Sequence, residues 1–313
     1  MNASMVPEYI SLVETDTFQL FQLLILNCLA IIPNIYFFIK SKTCKLFNER
    51  TFFKYMTMFM SFEYIIACST HIIYSGYIMI HRYFKLKVHL NTCSKINIFD
   101  LNINQILIVT PLYFNIIRFY RIVFQKRASF ILIGAVFLIT LGPLLYMMTG
   151  QYFEIKIYYV PKNGCGYQIF SNIPYYQILI WVNMFIILLI PPLSFLINLG
   201  IYVIVVRRKK ESSSRKIKEN KALFRGIAIQ SFFPFCCQLP AILYTMYFSF
   251  TRNPILEIDI VINFVYYTGQ AFCIFLSMIV INDFKIMMLE DFKLTKHFPS
   301  IQTTSVIQVR SKY

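Results

Sequence analysis

From Phe130 to Met148 the chain reads FILIGAVFLITLGPLLYMM, nineteen residues without one charge. A helix of that length rises about 28 Å, close to the roughly 30 Å of a bilayer's hydrocarbon core. A helix on the surface of a soluble domain keeps a polar face, and this stretch has none. Working outward, six further stretches are long and apolar enough to span. They lie near Phe18–Ile39, Phe52–Ile80, Ile96–Phe124, Pro174–Val206, Ala222–Phe250 and Ile258–Ile281. Several end at basic residues, as at Lys40-Ser41-Lys42 and Arg207-Arg208-Lys209-Lys210. The expected fold class is an all-α membrane protein, a seven-transmembrane helix bundle. Residues 1–16 form a short N-terminal segment, 17–284 the bundle and 285–313 the tail.

Composition agrees with that reading. Of 313 residues, 58% are hydrophobic and 14% charged, against roughly 25% charged in ordinary soluble domains. Mean hydropathy is +0.60. This excludes disorder, which needs low hydrophobicity, and a nucleic-acid partner, which would need the net charge of +16 spread over a soluble surface. The charge is instead topological. With the N-terminus outside, 23 of the 30 basic residues fall on the inner side and 7 on the outer. The third inner loop, Arg207–Arg225, is the most basic, and it contains the serine run Ser212-Ser213-Ser214, a possible phosphorylation site. Cytoplasmic loops carry such an excess of Lys and Arg, so the expectation is N-terminus outside and C-terminus cytoplasmic. Residues 1–16 hold Glu8, Glu14 and Asp16 but no Lys or Arg. The first helix is therefore expected to serve as an uncleaved signal anchor. Asn2-Ala3-Ser4 is a glycosylation sequon on the outer side.

Of eight cysteines, only Cys93 and Cys165 fall on the oxidising side of this topology, where one disulfide can form. Two unpaired thiols are the alternative. Cys28, Cys68, Cys236, Cys237 and Cys273 lie in spans and Cys44 in an inner loop.

The spans carry few polar signals. Asp100 lies seven residues, about two turns, below Cys93 in the third span. Ionisable groups at such depth are costly and usually face the bundle interior. A ligand-facing role and a hydrogen bond to Asn97 or Asn104 are both open. Glu63 sits mid-span in the second helix, as a polar node near His71 or Asn27 or as a group bonded to a neighbouring helix. Tyr244, Tyr247, Tyr266 and Tyr267 lie toward the outer halves of their helices. They line a ligand pocket with Asp100 and Asn104, or belong to an interfacial aromatic belt. Pro191, Pro192, Pro234 and Pro240 remove backbone donors inside the fifth and sixth spans and are expected to kink them. The four histidines, His71, His81, His89 and His297, show no metal-ligand spacing, and no nucleotide-binding or hydrolase motif occurs. Neither enzyme activity nor a cofactor or metal is expected.

Arg118 follows Cys93 by 25 residues, at the inner end of the third span. That spacing resembles rhodopsin-like receptors, although the triplet here is Ile117-Arg118-Phe119 and the seventh span contains no proline. A closer resemblance is to nematode serpentine chemoreceptors of the str/srh group. It is carried by Ala222-Leu223-Phe224-Arg225-Gly226-Ile227-Ala228-Ile229-Gln230-Ser231-Phe232-Phe233-Pro234, with Pro240 following, and by Leu276-Ser277-Met278-Ile279-Val280-Ile281-Asn282-Asp283-Phe284-Lys285. The resemblance implies a chemosensory receptor in the plasma membrane of sensory neuron cilia. Its partners would be a small odorant-like molecule and a heterotrimeric G protein. Asp100 then resembles the position at which amine receptors hold their ligand's counter-ion. Arg118, Phe119, Arg121, Lys221 and Arg225 become the coupling residues, with Arg118 bracing helix three against helix six. Contact of the basic ends with membrane lipid is expected in any case. The competing readings are a seven-span transporter or ligand-gated channel, and a non-signalling accessory protein on the same scaffold.

Overall fold

The computed structural model describes residues 8–12, 17–48, 51–153, 174–207, 214–251 and 255–293. In chain order the elements are β1 (Tyr9–Ser11), α1 (Thr17–Thr43), α2 (Lys45–Asn48), α3 (Thr51–Tyr83), β2 (Lys87–His89), α4 (Leu90–Val123), α5 (Phe130–Phe153), α6 (Tyr176–Arg207), α7 (Ser214–Thr251), α8 (Leu256–Ala271), α9 (Cys273–Ile279) and α10 (Asn282–Asp291). Six helices, namely α1, α3, α4, α5, α6 and α7, contain a segment long and apolar enough to cross a membrane. The bent pair α8/α9 makes a seventh if counted as one span. The chain is therefore an all-α membrane protein with six to seven candidate spans.

The exposure pattern has the membrane's logic. On α5, Phe130 is 92% exposed and Ile131 85%. Only a stripe of Thr140, Leu141, Leu144, Met147 and Gln151 is buried. Apolar side chains turned outward at that density need a hydrocarbon solvent. The helices pack α1 on α3, α4 on α6, α6 on α7 and α7 on α8, with α4 also touching α3 and α5. The end of the bundle that carries Lys40, Lys42 and Arg121 is called the basic end below.

Two features depart from the sequence reading. First, β1 and β2 pair antiparallel, Tyr9 opposite His89, Ile10 opposite Val88 and Ser11 opposite Lys87. Leu90 N donates to Glu8 O at 2.9 Å. The ribbon buries Ile10, Leu12 and Val88 with Leu20, Tyr74, Ile78, Leu90 and Cys93 at the end opposite the basic one. Residues 9–12 thus fold back over the bundle. The signal was the exposed–buried alternation of Tyr9-Ile10-Ser11-Leu12, too short to stand out beside seven helical runs. The approach to β2 is set where α3 ends. Lys85 takes φ 52°, Lys85 N donates to Arg82 O and Leu86 N to His81 O. That pair of bonds is a Schellman closure, here without the usual glycine.

Second, the expected single span Ile258–Ile281 is broken at Phe272, with 49° between Ile260–Gly269 and Cys273–Ile279. No proline causes it. Just before the break, Gly269 lies against α7 so closely that an added Cβ would overlap the Cβ and Sγ of Cys237. Pro191 and Pro192 sit inside an unbroken α6, and Pro234 and Pro240 inside an unbroken α7.

At the basic end, Phe284 of α10 stacks on Phe47 of α2 at 4.4 Å and on Phe53 of α3 at 4.9 Å. Lys40 and Tyr36 of α1 reach Asp291 at 2.7 and 2.5 Å. The hydrogen bond from Lys40, then that from Tyr36, holds the Asp291 carboxyl below its ordinary 3.8. A depressed carboxylate contributes above its unfolded pKa and is lost as pH falls through the folded one, so this tether is intact at neutral pH. The tail beyond residue 293 lies outside the described residues.

Gly269→Ala should lower the thermal midpoint of the detergent-solubilised protein, because over-packing costs about 1–3 kcal/mol. Gly200→Ala, with nothing within 4 Å of the new methyl, should be neutral or stabilising by about 0.5–1 kcal/mol, since Gly is a poor helix former. Equal midpoints for the two variants would refute the close approach.

Candidate functional site

α3 and α4 run side by side, which brings His71, Asp100 and Asn104 together. His71 Nδ1 lies 2.6 Å from Asp100 Oδ1, and Nε2 lies 3.1 Å from Asn104 Oδ1. Asp100 is 1% exposed and His71 2%. An imidazolium donates to both oxygens; a neutral ring serves one. The ring of Tyr267 on α8 stands edge-on to His71 at 5.2 Å. Beside this cluster is a cavity of about 10 Å³ lined by Asn27, Tyr64, His71, Asn104 and Tyr267 among others. Such a volume admits about one water.

Of the expected pocket residues, the fold brings Asp100, Asn104 and Tyr267 together. Asp100 meets His71 rather than an open pocket. Tyr244 is engaged elsewhere: its hydroxyl donates to Ile255 O at 3.2 Å and accepts from Ile255 N at 2.9 Å, tying α7 to the entry of α8. Tyr247 is exposed and stacks beside Tyr244 at 6.3 Å. Tyr266 is half-buried beside Tyr267.

Glu63 does not join His71 or Asn27. Thr110 of α4 donates to Glu63 Oε1 at 2.9 Å and to Ile106 O at 3.2 Å. One turn further along α4, Tyr113 shares a 2.7 Å bond with Thr140 of α5. Among the described residues no three His, Cys, Asp or Glu side chains are placed to hold a metal ion.

Toward the basic end a second polar assembly joins three helices. Arg118, 3% exposed, donates from Nη1 to Asn198 Oδ1 of α6 at 2.8 Å. Asn198 Nδ2 donates to the backbone carbonyl of Phe224 on α7 at 3.0 Å. A layer deeper, Asn115 Nδ2 donates to Ser194 O and Oγ, both at 2.8 Å. Ser194 Oγ shares a 3.2 Å bond with Ser231 Oγ, and Ser231 Oγ donates to Ile227 O. Arg118 of helix three thus connects to the Phe224 carbonyl of helix six through Asn198 of helix five. Asn115, Ser194, Asn198 and Ser231 escaped the sequence reading. Their signal was spacing: Asn115 and Arg118 are i, i+3, and Ser194 and Asn198 are i, i+4, which places each pair on one helix face.

Phe119 is half-buried, and Arg121 and Arg225 are exposed at the basic end. The side chains of Lys221 and Ser214 lie outside what the structure describes, as do Asn2, Cys165, Ser212 and Ser213 altogether. Cys93 is fully buried at the start of α4; its expected partner Cys165 lies outside the described residues.

No protein-family model matches the chain, and no curated protein matches it.

Removing one partner of a buried hydrogen-bonded pair strands the other and costs about 1–3 kcal/mol, more for a charged group. Asp100→Asn and His71→Ala should each lower stability in that range. The double variant should cost less than their sum by about 1–3 kcal/mol. A thermal-unfolding cycle in detergent checks this, and strict additivity would refute the pairing.

Proposed function

We propose that the chain is a G-protein-coupled chemosensory receptor of the plasma membrane. Its N-terminus is outside, its C-terminus cytoplasmic, and a small odorant-like molecule acts from the outer side. The observation that carries this reading is the link from Arg118 through Asn198 to the Phe224 carbonyl. It ties α4, α6 and α7 at the end where 23 basic residues gather under the N-out topology. A buried arginine is a costly group that needs a partner, and here Asn198 of α6 supplies one while itself bonded to the Phe224 carbonyl of α7. Both helices contain prolines that weaken their backbone ladders. Breaking the link frees Arg118 and opens a basic face bordered by Arg121 and Arg225, to which a G protein can dock. Ligand acts by differential affinity for the open and closed states. The His71–Asp100–Asn104 cluster lies on the ligand side of the same α4, and the reading includes the Cys93–Cys165 disulfide expected from the sequence. Sensory neuron cilia are the expected location, on the str/srh-like motifs of α7 and α9/α10.

The experiment is expression in a G-protein reporter cell challenged with volatile and soluble odorants. Asn198→Ala should raise ligand-independent signalling about tenfold, since a hydrogen bond to a charged group contributes about 1.5–3 kcal/mol to the closed state. Arg118→Ala should abolish coupling while leaving surface expression intact. A substrate-dependent current that needs no G protein, with Arg118→Ala unaffected, would point instead to the transporter or channel reading.

A further inference from the structure

The cavity beside His71 is walled by Asn27 of α1, Tyr64 and Cys68 of α3, Asn104 of α4 and Tyr267 of α8, among others. Two of these side chains carry unmet polar groups. Asn27 Nδ2 donates to Leu23 O at 2.8 Å, and its Oδ1 has no bond among the described residues. Asn104 Oδ1 meets His71 Nε2 at 3.1 Å, and its Nδ2 has no bond among the described residues. Asn27 is 3% exposed and Asn104 2%, so neither bulk solvent nor a lipid headgroup serves them. A buried polar group without a partner is costly. Here one acceptor and one donor sit on the wall of a single cavity. Its volume, about 10 Å³, admits one water.

The chemistry of the pair selects the occupant. A cation would be repelled by the Asn104 N–H and an anion by Asn27 Oδ1. Hydrocarbon would satisfy neither. A molecule that both accepts and donates satisfies both.

We propose that this cavity binds one structural water, which accepts from Asn104 Nδ2 and donates to Asn27 Oδ1. α1 packs mainly on α3 and α8, and the water adds a polar link from it to α4. The water also fixes the Asn104 amide. With Nδ2 held, Oδ1 stays toward His71, so Nε2 of the imidazole carries a hydrogen. Without the water the amide is free to turn and present Nδ2 to an unprotonated Nε2. The water therefore acts as a positioning element for the His71–Asp100 contact. The proposal rests on the geometry of the cluster and not on receptor function.

The test is synchrotron radiolysis of the purified full chain in lipid nanodiscs. Hydroxyl radicals formed from a bound water oxidise the side chains beside it, even where bulk solvent does not reach. Tyr64, 2% exposed and on the cavity wall, should be oxidised about tenfold faster than Tyr176, 3% exposed and away from it, because a water with polar partners stays in place. Cys68 should follow Tyr64. A bulk radical scavenger should suppress oxidation of Tyr83, 81% exposed, and spare that of Tyr64. Ala67→Val fills the cavity, which Ala67 also lines, and Asn27→Leu removes the acceptor. Each should cut the Tyr64 and Cys68 rates about tenfold, the equivalent of 1.4 kcal/mol in water affinity, and leave Tyr176 unchanged. Nitrogen-15 NMR of the ring, assigned by the signal lost in His71→Gln, should show Nε2 protonated in the unsubstituted chain and partly unprotonated in Ala67→Val. Four results would overturn the proposal. They are Tyr64 oxidised no faster than Tyr176, Tyr64 and Cys68 rates unchanged in Ala67→Val, an unprotonated Nε2 in the unsubstituted chain, and a thermal midpoint raised by sodium but not by N-methylglucamine and only while Asn27 is present. The last would make the occupant a cation. The first and third use the unsubstituted chain and stand whether or not the variants fold. None of these readouts involves an odorant or a G protein, so their failure leaves the receptor proposal standing and the converse holds too.

Discussion

Hydrocarbon offers no hydrogen-bond partner, and that constraint organises this molecule. Every backbone group inside the spans must be satisfied within its own helix, so the chain is helical wherever it crosses. A polar side chain in a span is stabilised by a partner on a neighbouring helix or on its own preceding turn. Asn27 and Asn34 take the second course, donating to the carbonyls of Leu23 and Ala30. His71, Asp100, Glu63, Asn115 and Arg118 take the first, and in doing so they choose which helices touch. Interhelical hydrogen bonds of this kind contribute only about 0.6–2 kcal/mol each. Their alternative, a polar group facing lipid, is what makes them decisive for register.

That constraint also explains what could be read in the sequence. The spans were legible because length and apolarity are local properties of the chain, as in the uncharged run through Phe130. The side of each loop was arguable from Lys and Arg counts alone. Asp100, Glu63 and Arg118 stood out because a charge in a span is rare. Their partners did not stand out. His71 and Asp100 are 29 residues apart, and Arg118 and Asn198 are 80 apart; no local pattern encodes which helix faces which. Asn198 and Ser194 are polar residues of ordinary kind, and only their common face betrays them. The break in the seventh candidate span was hidden for a different reason. It lacks the proline that usually announces one, and its close approach involves Gly269 and Cys237, two small residues that read as unremarkable filler.

The ends of the bundle are built differently from its middle. At the basic end, Phe47, Phe53 and Phe284 make a three-ring stack that joins the α1–α3 turn to α10, with Lys40 and Asp291 closing it at the surface. At the opposite end, the β1–β2 ribbon presses Ile10 and Leu12 onto α3 and α4. The first device pins α1 and α3, the second α3 and α4. Helices α6 and α7 receive no such clamp among the described residues. They are held to α4 mainly by packing and by the two polar layers at Asn115 and Arg118.

This asymmetry places α4 at the centre of any conformational change. One continuous helix carries Asp100 near one end and Arg118 near the other, eighteen residues or about 27 Å apart at the α-helical rise. Between them, Asn104 and Thr110 bond to α3 and Asn115 to α6, so α4 is polar-bonded on α3, α6 and, through Tyr113, α5. A small rotation of α4 cannot be absorbed at one site alone: it strains the His71 contact and the Asn198 contact together. Pro111 sits midway and removes one backbone donor, which lets the two halves of α4 differ slightly in direction. The physical requirement for coupling between distant sites is an element with two arrangements that both sites bias. In the proposed receptor, the arrangement in which Arg118 donates to Asn198 and Asn198 to the Phe224 carbonyl would be one of them, and a shift of α6 and α7 would give the other.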